Sequence, residues 1–280
     1  QALSLSLAPE SVVTVRRELG KIGLRQGRYT DAQTHLEEAR RLARGAADIA
    51  TLLGDVYQKR GSPARAADEY RRALALDGDA RAAHMGLAST LLADSAEAAL
   101  SHAQAAIQLD PFDPDVWYVA ARALTKAGRT EDARSALESH TRTKAYALDI
   151  DAIQDALRRD PRNTALLQSL ADRHEEEGAL RHAIGAYRRA TGHPTTRQLA
   201  YVNIAMLHLR LGEMDAAGAA LREASESGET SAGVHAAYGE LWSARRDWAQ
   251  ASTAYRAAVG VDAKMPHAWV GLMRAAAMVG

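Results

Sequence analysis

His174-Glu175-Glu176-Glu177 opens like a zinc helix, with an imidazole followed directly by a carboxylate. Such a site needs a second His four residues on, so that both rings face one side of the helix and the Glu can act as general base. Residue 178 is Gly. His174 is therefore expected to be a packed helix-interface side chain, and His208, in the same slot of a later segment, likewise. Asp110, Asp113 and Asp115 in the run DPFDPD have the look of a calcium loop, which also needs a Gly at its sharp turn and a distal Glu. Neither is present. Helix termination at Asp110-Pro111 and N-capping by Asp113 account for the run. The chain holds no G-x-S-x-G, no phosphate loop and no dinucleotide fingerprint. It has no cysteine, which excludes disulfides and thiolate metal sites. The expectation is a chain that is not an enzyme, with no metal and no cofactor.

Composition points the same way. Lys+Arg and Asp+Glu both number 35, so the formal net charge is +0, without the basic excess of a nucleic-acid binder. No apolar run approaches the ~18 residues of a membrane span, and no signal peptide is visible. Cytoplasm and periplasm fit equally well, and the Ala-, Arg- and Asp-rich composition has a bacterial character. The chain opens on Gln1, as expected of a processed form or an excised fragment, and Gly280 reads as an arbitrary stop. Of the residues, 47% are hydrophobic, yet only one is Phe. Ala and Leu dominate, a composition suited to many thin helix interfaces and not to one thick core.

The elements that must position any site follow from a repeat. A Gly or Ala recurs at 20, 54, 88, 121, 171, 205 and 239, and Met273 falls in the same series. The steps are 34, 34, 33, 50, 34, 34 and 34. One unit reads Leu53-Gly54-x-x-Tyr57 with Ala66, Tyr70 and Ala73. Another reads Tyr238-Gly239-x-x-Trp242 with Ala251, Tyr255 and Ala258. Gly27, Gly61, Gly128, Gly178 and Gly212 each follow a small position by seven residues, where a left-handed helix end is favoured. A period of ~34 residues over the chain marks a stack of helix pairs.

This pattern resembles the tetratricopeptide repeat family. The resemblance implies an all-α, right-handed superhelical solenoid of antiparallel helix pairs, whose first helices line a concave groove that binds another protein.

Two breaks stand out. Repeat three runs one residue short, with Ser95 replacing the turn glycine. Between Ala121 and Ala171 lie sixteen surplus residues. They predict one extra helix near 150–159, separate from a helix at 131–142, with the polar stretch Thr141–Lys144 as a hinge or subdomain boundary. The expected domains are 1–143, with about four repeats, and 144–280, with the extra helix, about three repeats and a terminal helix. Residues 1–10 fit no repeat.

On the exposed side of each first helix, the groove candidates are Arg17, Lys21 and Arg25, then Tyr118, Arg122 and Lys126. Around Ala205 they are Leu199, Val202, Asn203, Met206, Leu209 and Arg210. The groove positions of repeat two include Asp48 and Asp55, and those after the break include Gln168, Asp172 and Glu176. The Ala205 face is apolar on both sides and needs cover. Either a partner segment, or the chain's own curvature or residues 1–10, can supply it. The carboxylate clamp of chaperone-binding repeats is incomplete, with only Asn203 at a clamp-type position. The function expected is a non-catalytic scaffold binding a peptide or helix, with Arg17, Lys21, Arg122 and Lys126 of the N-terminal repeats adding electrostatic attraction. The alternative is a structural spacer or sensor segment of a larger bacterial assembly for secretion, polysaccharide export or regulation. A further alternative is the accessory domain of an enzyme.

Overall fold

The computed structural model describes residues 8–228 and 230–279. Among them every regular element is an α-helix. Contacts divide the chain into two compact units at Ala147/Leu148. Unit 1 contains α1 (Pro9–Arg25), α2 (Tyr29–Leu42), α3 (Ala47–Lys59), α4 (Pro63–Leu76), α5 (Arg81–Leu91), α6 (Ala96–Leu109) and α7 (Pro114–Lys126). The next helix, α8 (Thr130–Arg159), runs past the division. Unit 2 contains α9 (Thr164–Glu176), α10 (Leu180–Ala190), α11 (Arg197–Arg210), α12 (Met214–Glu226), α13 (Ala232–Ala244), α14 (Trp248–Val261) and α15 (Pro266–Val279).

Successive helices pack as pairs, α1 on α2, α3 on α4, α5 on α6, α9 on α10, α11 on α12 and α13 on α14. Each second helix then packs on the first helix of the next pair, as α4 does on α5 and α12 on α13. Within most pairs the two helices are joined by the same turn. Gly27, Gly61, Gly128, Gly178 and Gly212 have φ between 71° and 80°, the left-handed region open to glycine. The residue after each glycine donates its N–H back across the helix end, Ser62 to the Tyr57 carbonyl at 2.9 Å and Ala179 to that of His174 at 2.7 Å. Arg246 takes the same turn position with φ 60° and no glycine. The short third turn uses Ser95, whose hydroxyl accepts from the Ala98 N–H at 3.2 Å.

The small residues are small because rings lie on them. Tyr70 is fully buried between α3 and α5. A Cβ added at Gly54 would fall 2.5 Å from its ring, and one at Gly86 2.3 Å. Tyr255 repeats this with Gly239 and Gly271, at 2.5 and 2.4 Å. Gly86 and Gly271 stand two residues before the periodic positions Ala88 and Met273, and Met273 itself is exposed.

The expected hinge at Thr141–Lys144 is not there. Residues 150–159 are helical, but they continue α8 without interruption and do not form a separate element. Residues 130–159 contain neither Gly nor Pro, so nothing breaks the backbone ladder. Thr141 and Thr143, which read as polar linker, donate their hydroxyls to the carbonyls of Leu137 and Ser139, both at 2.9 Å. Thr143 is fully buried. Near its start α8 contributes Ala133 and Ala136 to a core of unit 1, and near its end Leu157 to the core of unit 2. Most of the residues 1–10 and Gly280, on which two sequence expectations fall, lie outside the described residues.

Candidate functional site

In unit 1 the cations form two separate pairs. Arg17 on α1 gives its guanidinium to Asp48 of α3 at 2.8 Å, and Lys21 gives its ammonium to Glu18 at 2.9 Å. The Lys21 hydrogen bond leads the causes that hold the Glu18 carboxyl below its usual range. Arg25 is exposed. Because α1 packs on α2 and α3 while α7 packs on α5 and α6, Arg17 and Lys21 are brought to each other but not to Arg122 and Lys126. The four cations of the N-terminal repeats therefore stand in two separate blocks.

The second block borders a concavity of about 670 Å³ lined by Ser89, Leu92, Tyr118, Arg122, Lys126 and Leu137, among others, none of them a carboxylate. Arg122 stands 5.8 Å from the Tyr118 ring centroid, within cation–π range. Tyr118 also meets His140, with centroids 5.5 Å apart. Lys126 donates to the carbonyls of Leu92, at 2.9 Å, and of Ala93, at the negative end of α5. These cations are positioned by helix spacing, since residues four apart share a face.

In unit 2 the sequence-predicted residues lie along α11. Leu199 is 58% exposed. Val202, Met206 and Leu209 are half-buried and also touch the unit core. Asn203 is half-buried, and Arg210 is exposed and paired with Glu175 of α9 at 2.8 Å. Met206, Leu209 and Arg210 open on a concavity of about 410 Å³ with Glu240, Ala244 and Trp248.

His174 and His208 are buried, as their helix-interface slots require. Burial, then the neighbouring His182, pushes His174 down to about 4, so the ring is held neutral. His208 Nδ1 sits 2.6 Å from Glu213 Oε2.

One recurring device escaped the sequence reading. The Tyr70 hydroxyl lies 2.7 Å from Asp55 Oδ1 and 2.9 Å from Gln58 Oε1. The Tyr187 hydroxyl lies 3.1 Å from Glu175 Oε1 and accepts from Gln168 at 3.0 Å. Tyr255 bonds Glu240 and Ser243. Each partner stands fifteen or twelve residues before its tyrosine, apart from Gln168. Burial pushes all three phenols above their ordinary range and raises Asp55 as well. The signal was an acid, amide or hydroxyl at those offsets, readable only once the tyrosine is known to cross its own first helix.

Comparison with known proteins gives the family. Family models described as tetratricopeptide repeat match residues 17–80 and 51–114, residues 90–145, and residues 199–227, together more than half of the chain. No curated protein matches in sequence. Among solved structures, a tetratricopeptide repeat protein from Parabacteroides merdae is 15% identical, with 95% of this chain and 99% of that one covered and a TM-score of 0.39. The Cut9–Hcn1 hetero-tetramer of the APC/C is 15% identical, with 98% of this chain but 50% of that one covered, at 0.39. MamA protein is 17% identical, with 78% and 92% covered, at 0.37. Overlaps this loose carry no functional information. The repeat lattice, the glycine-ended turns and the matched repeats agree, and the chain belongs to the tetratricopeptide repeat family.

Proposed function

We propose that this protein-interaction scaffold seats a partner's peptide or helix on the apolar face of α11, with Leu199, Val202, Met206 and Leu209 as anchors. The observation that carries the reading is the exposure of Leu199 beside side chains that open on a concavity. A few apolar anchors at helical spacing suffice to hold an extended or helical segment. The Arg122 and Lys126 face of unit 1 adds attraction for anionic groups, which weakens with salt. Repeats of this family are non-catalytic scaffolds in general.

The test is capture of partners by the intact chain and by Met206→Asp and Val202→Asp, with folding checked by circular dichroism. Loss of a specific partner from both variants is expected. Survival of every partner on folded variants would put the spacer reading ahead, since Val202, Met206 and Leu209 already touch their own core.

A further inference from the structure

His84 on α5 and His102 on α6 meet nitrogen to nitrogen. Their Nδ1 atoms lie 3.0 Å apart and their ring centroids 5.3 Å apart. The far side of His84 fixes which of its nitrogens holds the proton. Its Nε2 lies 3.1 Å from the Gly78 carbonyl, and a carbonyl only accepts. The proton is therefore on Nε2, and Nδ1 turns a lone pair toward His102. His102 completes the contact by donating from its own Nδ1. A backbone acceptor behind one ring nitrogen is how metal-ligating histidines are oriented, because it keeps the other nitrogen free to ligate.

The surroundings suit a cation. Both rings are half-buried, so their helices hold them while water reaches them. Burial, then His84, then Arg71 hold His102 below its ordinary range, which keeps the ring neutral, the form that ligates. Arg71 of α4, the cation that bears on His102, is paired with Asp68 at 3.0 Å. Among the described residues no third His, Cys, Asp or Glu joins the two rings, which leaves the remaining positions to water. The spacing hid this pair. Eighteen residues separate the two histidines, whereas the expectation of a metal-free chain rested on motifs within one helix or one short run.

The nitrogen separation selects among metals. Two donors at about 2.0–2.1 Å from an ion stand about 2.9 Å apart at a right angle and about 3.3–3.4 Å apart in a tetrahedron. The 3.0 Å seen here is close to the right-angled value, which suits the square-planar or tetragonal preference of Cu(II) and Ni(II) better than the tetrahedron of zinc. The ion sits off the line joining the nitrogens, so both rings turn as it enters, about a χ2 torsion that is broad for histidine.

We infer that His84 and His102 form a chelate for a divalent transition metal of the Cu(II) or Ni(II) class, with water completing the coordination. His84 binds in the tautomer it already has. His102 passes its proton from Nδ1 to Nε2 through solvent, so both Nδ1 atoms give a lone pair and no net proton is released. The bound ion ties α5 to α6, in the repeat whose turn uses Ser95 in place of glycine. This site is independent of the groove on α11.

The probes are Cu²⁺, Ni²⁺ and Zn²⁺ alone, titrated calorimetrically into the intact chain at neutral pH in a non-chelating buffer. Cu²⁺ and Ni²⁺ are expected to bind one to one and ahead of Zn²⁺. His84→Gln and His102→Gln, with folding checked by circular dichroism, should each weaken binding about tenfold or more. His182→Gln should not, although its ring centroid lies 5.4 Å from that of His174. The Cu²⁺ form of the intact chain should show two coordinated nitrogens by electron paramagnetic resonance, and each of the first two variants one. Unchanged binding by folded His84→Gln and His102→Gln, or loss of binding in His182→Gln, assigns the metal to other histidines and overturns the inference. Zn²⁺ binding tighter than Ni²⁺ overturns the right-angled chelate.

Discussion

A glycine in the middle of a helix costs about 0.5–1 kcal/mol against alanine, so its presence asks for a reason. At Gly86 the reason is Tyr70, whose ring would meet a Cβ at 2.3 Å. Gly185 in α10 meets nothing within 4 Å. Gly86→Ala is expected to lower stability by about 1–3 kcal/mol through overpacking, and Gly185→Ala to raise it by up to about 1 kcal/mol through helix propensity. Urea unfolding of the two variants checks both signs. His174 carries a second expectation. Its ring titrates near 4 in the fold against 6.5 in the open chain. The neutral form is favoured on folding, so this contribution is complete above pH 6.5. It is lost as pH falls from 6.5 toward 4, on the order of 2 kcal/mol. His174→Gln should flatten stability across that window. An unchanged slope would show that His174 is as free to protonate in the fold as in the open chain.

At the scale of elements, what was legible followed from local backbone rules. Gly27, Gly61, Gly128, Gly178 and Gly212 marked their helix ends because only the left-handed conformation closes those turns. Asp113 marked a helix start because its side chain takes an orphan N–H, as Ser95, read only as replacing the turn glycine, also does. What was not legible depended on a second element. Gly86 and Gly271 fall off the 34-residue lattice, and their meaning lies in a ring from the preceding helix. Arg210 read as a groove candidate, and its partner Glu175 is 35 residues away. The hinge at Thr141–Lys144 was inferred from polarity, whereas the exposed Thr141 and the buried Thr143 both satisfy their hydroxyls on carbonyls of their own helix. Arg246 tests the turn rule directly. It holds φ 60° where five other turns use glycine, and a side chain there costs roughly 1–2 kcal/mol. Arg246→Gly should raise stability by about 0.5–1 kcal/mol, because the added freedom of the unfolded glycine offsets part of the gain. A lower melting temperature for the variant would mean that the Arg246 side chain contributes more than its backbone strain costs.

For the whole molecule the decisive element is α8. In a stack of repeats each unit contacts only its neighbours, so cooperativity passes from one to the next through shared structure. Here Ala133 and Ala136 belong to a core of unit 1 and Leu157 to the core of unit 2, all on one uninterrupted helix. Folding of α8 is therefore a condition that both units share. A proline at 147, where contacts divide the chain, removes one N–H from the ladder and sets its ring against the carbonyl of Thr143, at a cost of ~3 kcal/mol or more. It leaves each end of the helix free to complete its own core. Trp117 reports on unit 1, while Trp242, Trp248 and Trp269 report on unit 2. With Trp117 as sole fluorophore in one version and Trp242 in another, the parent chain should show coincident urea transitions. Ala147→Pro should pull them apart, with the less stable unit melting first. If the two probes still coincide in Ala147→Pro, cooperativity crosses the division by a route other than α8, and the continuous helix is a connector and not the element that makes the chain unfold as one.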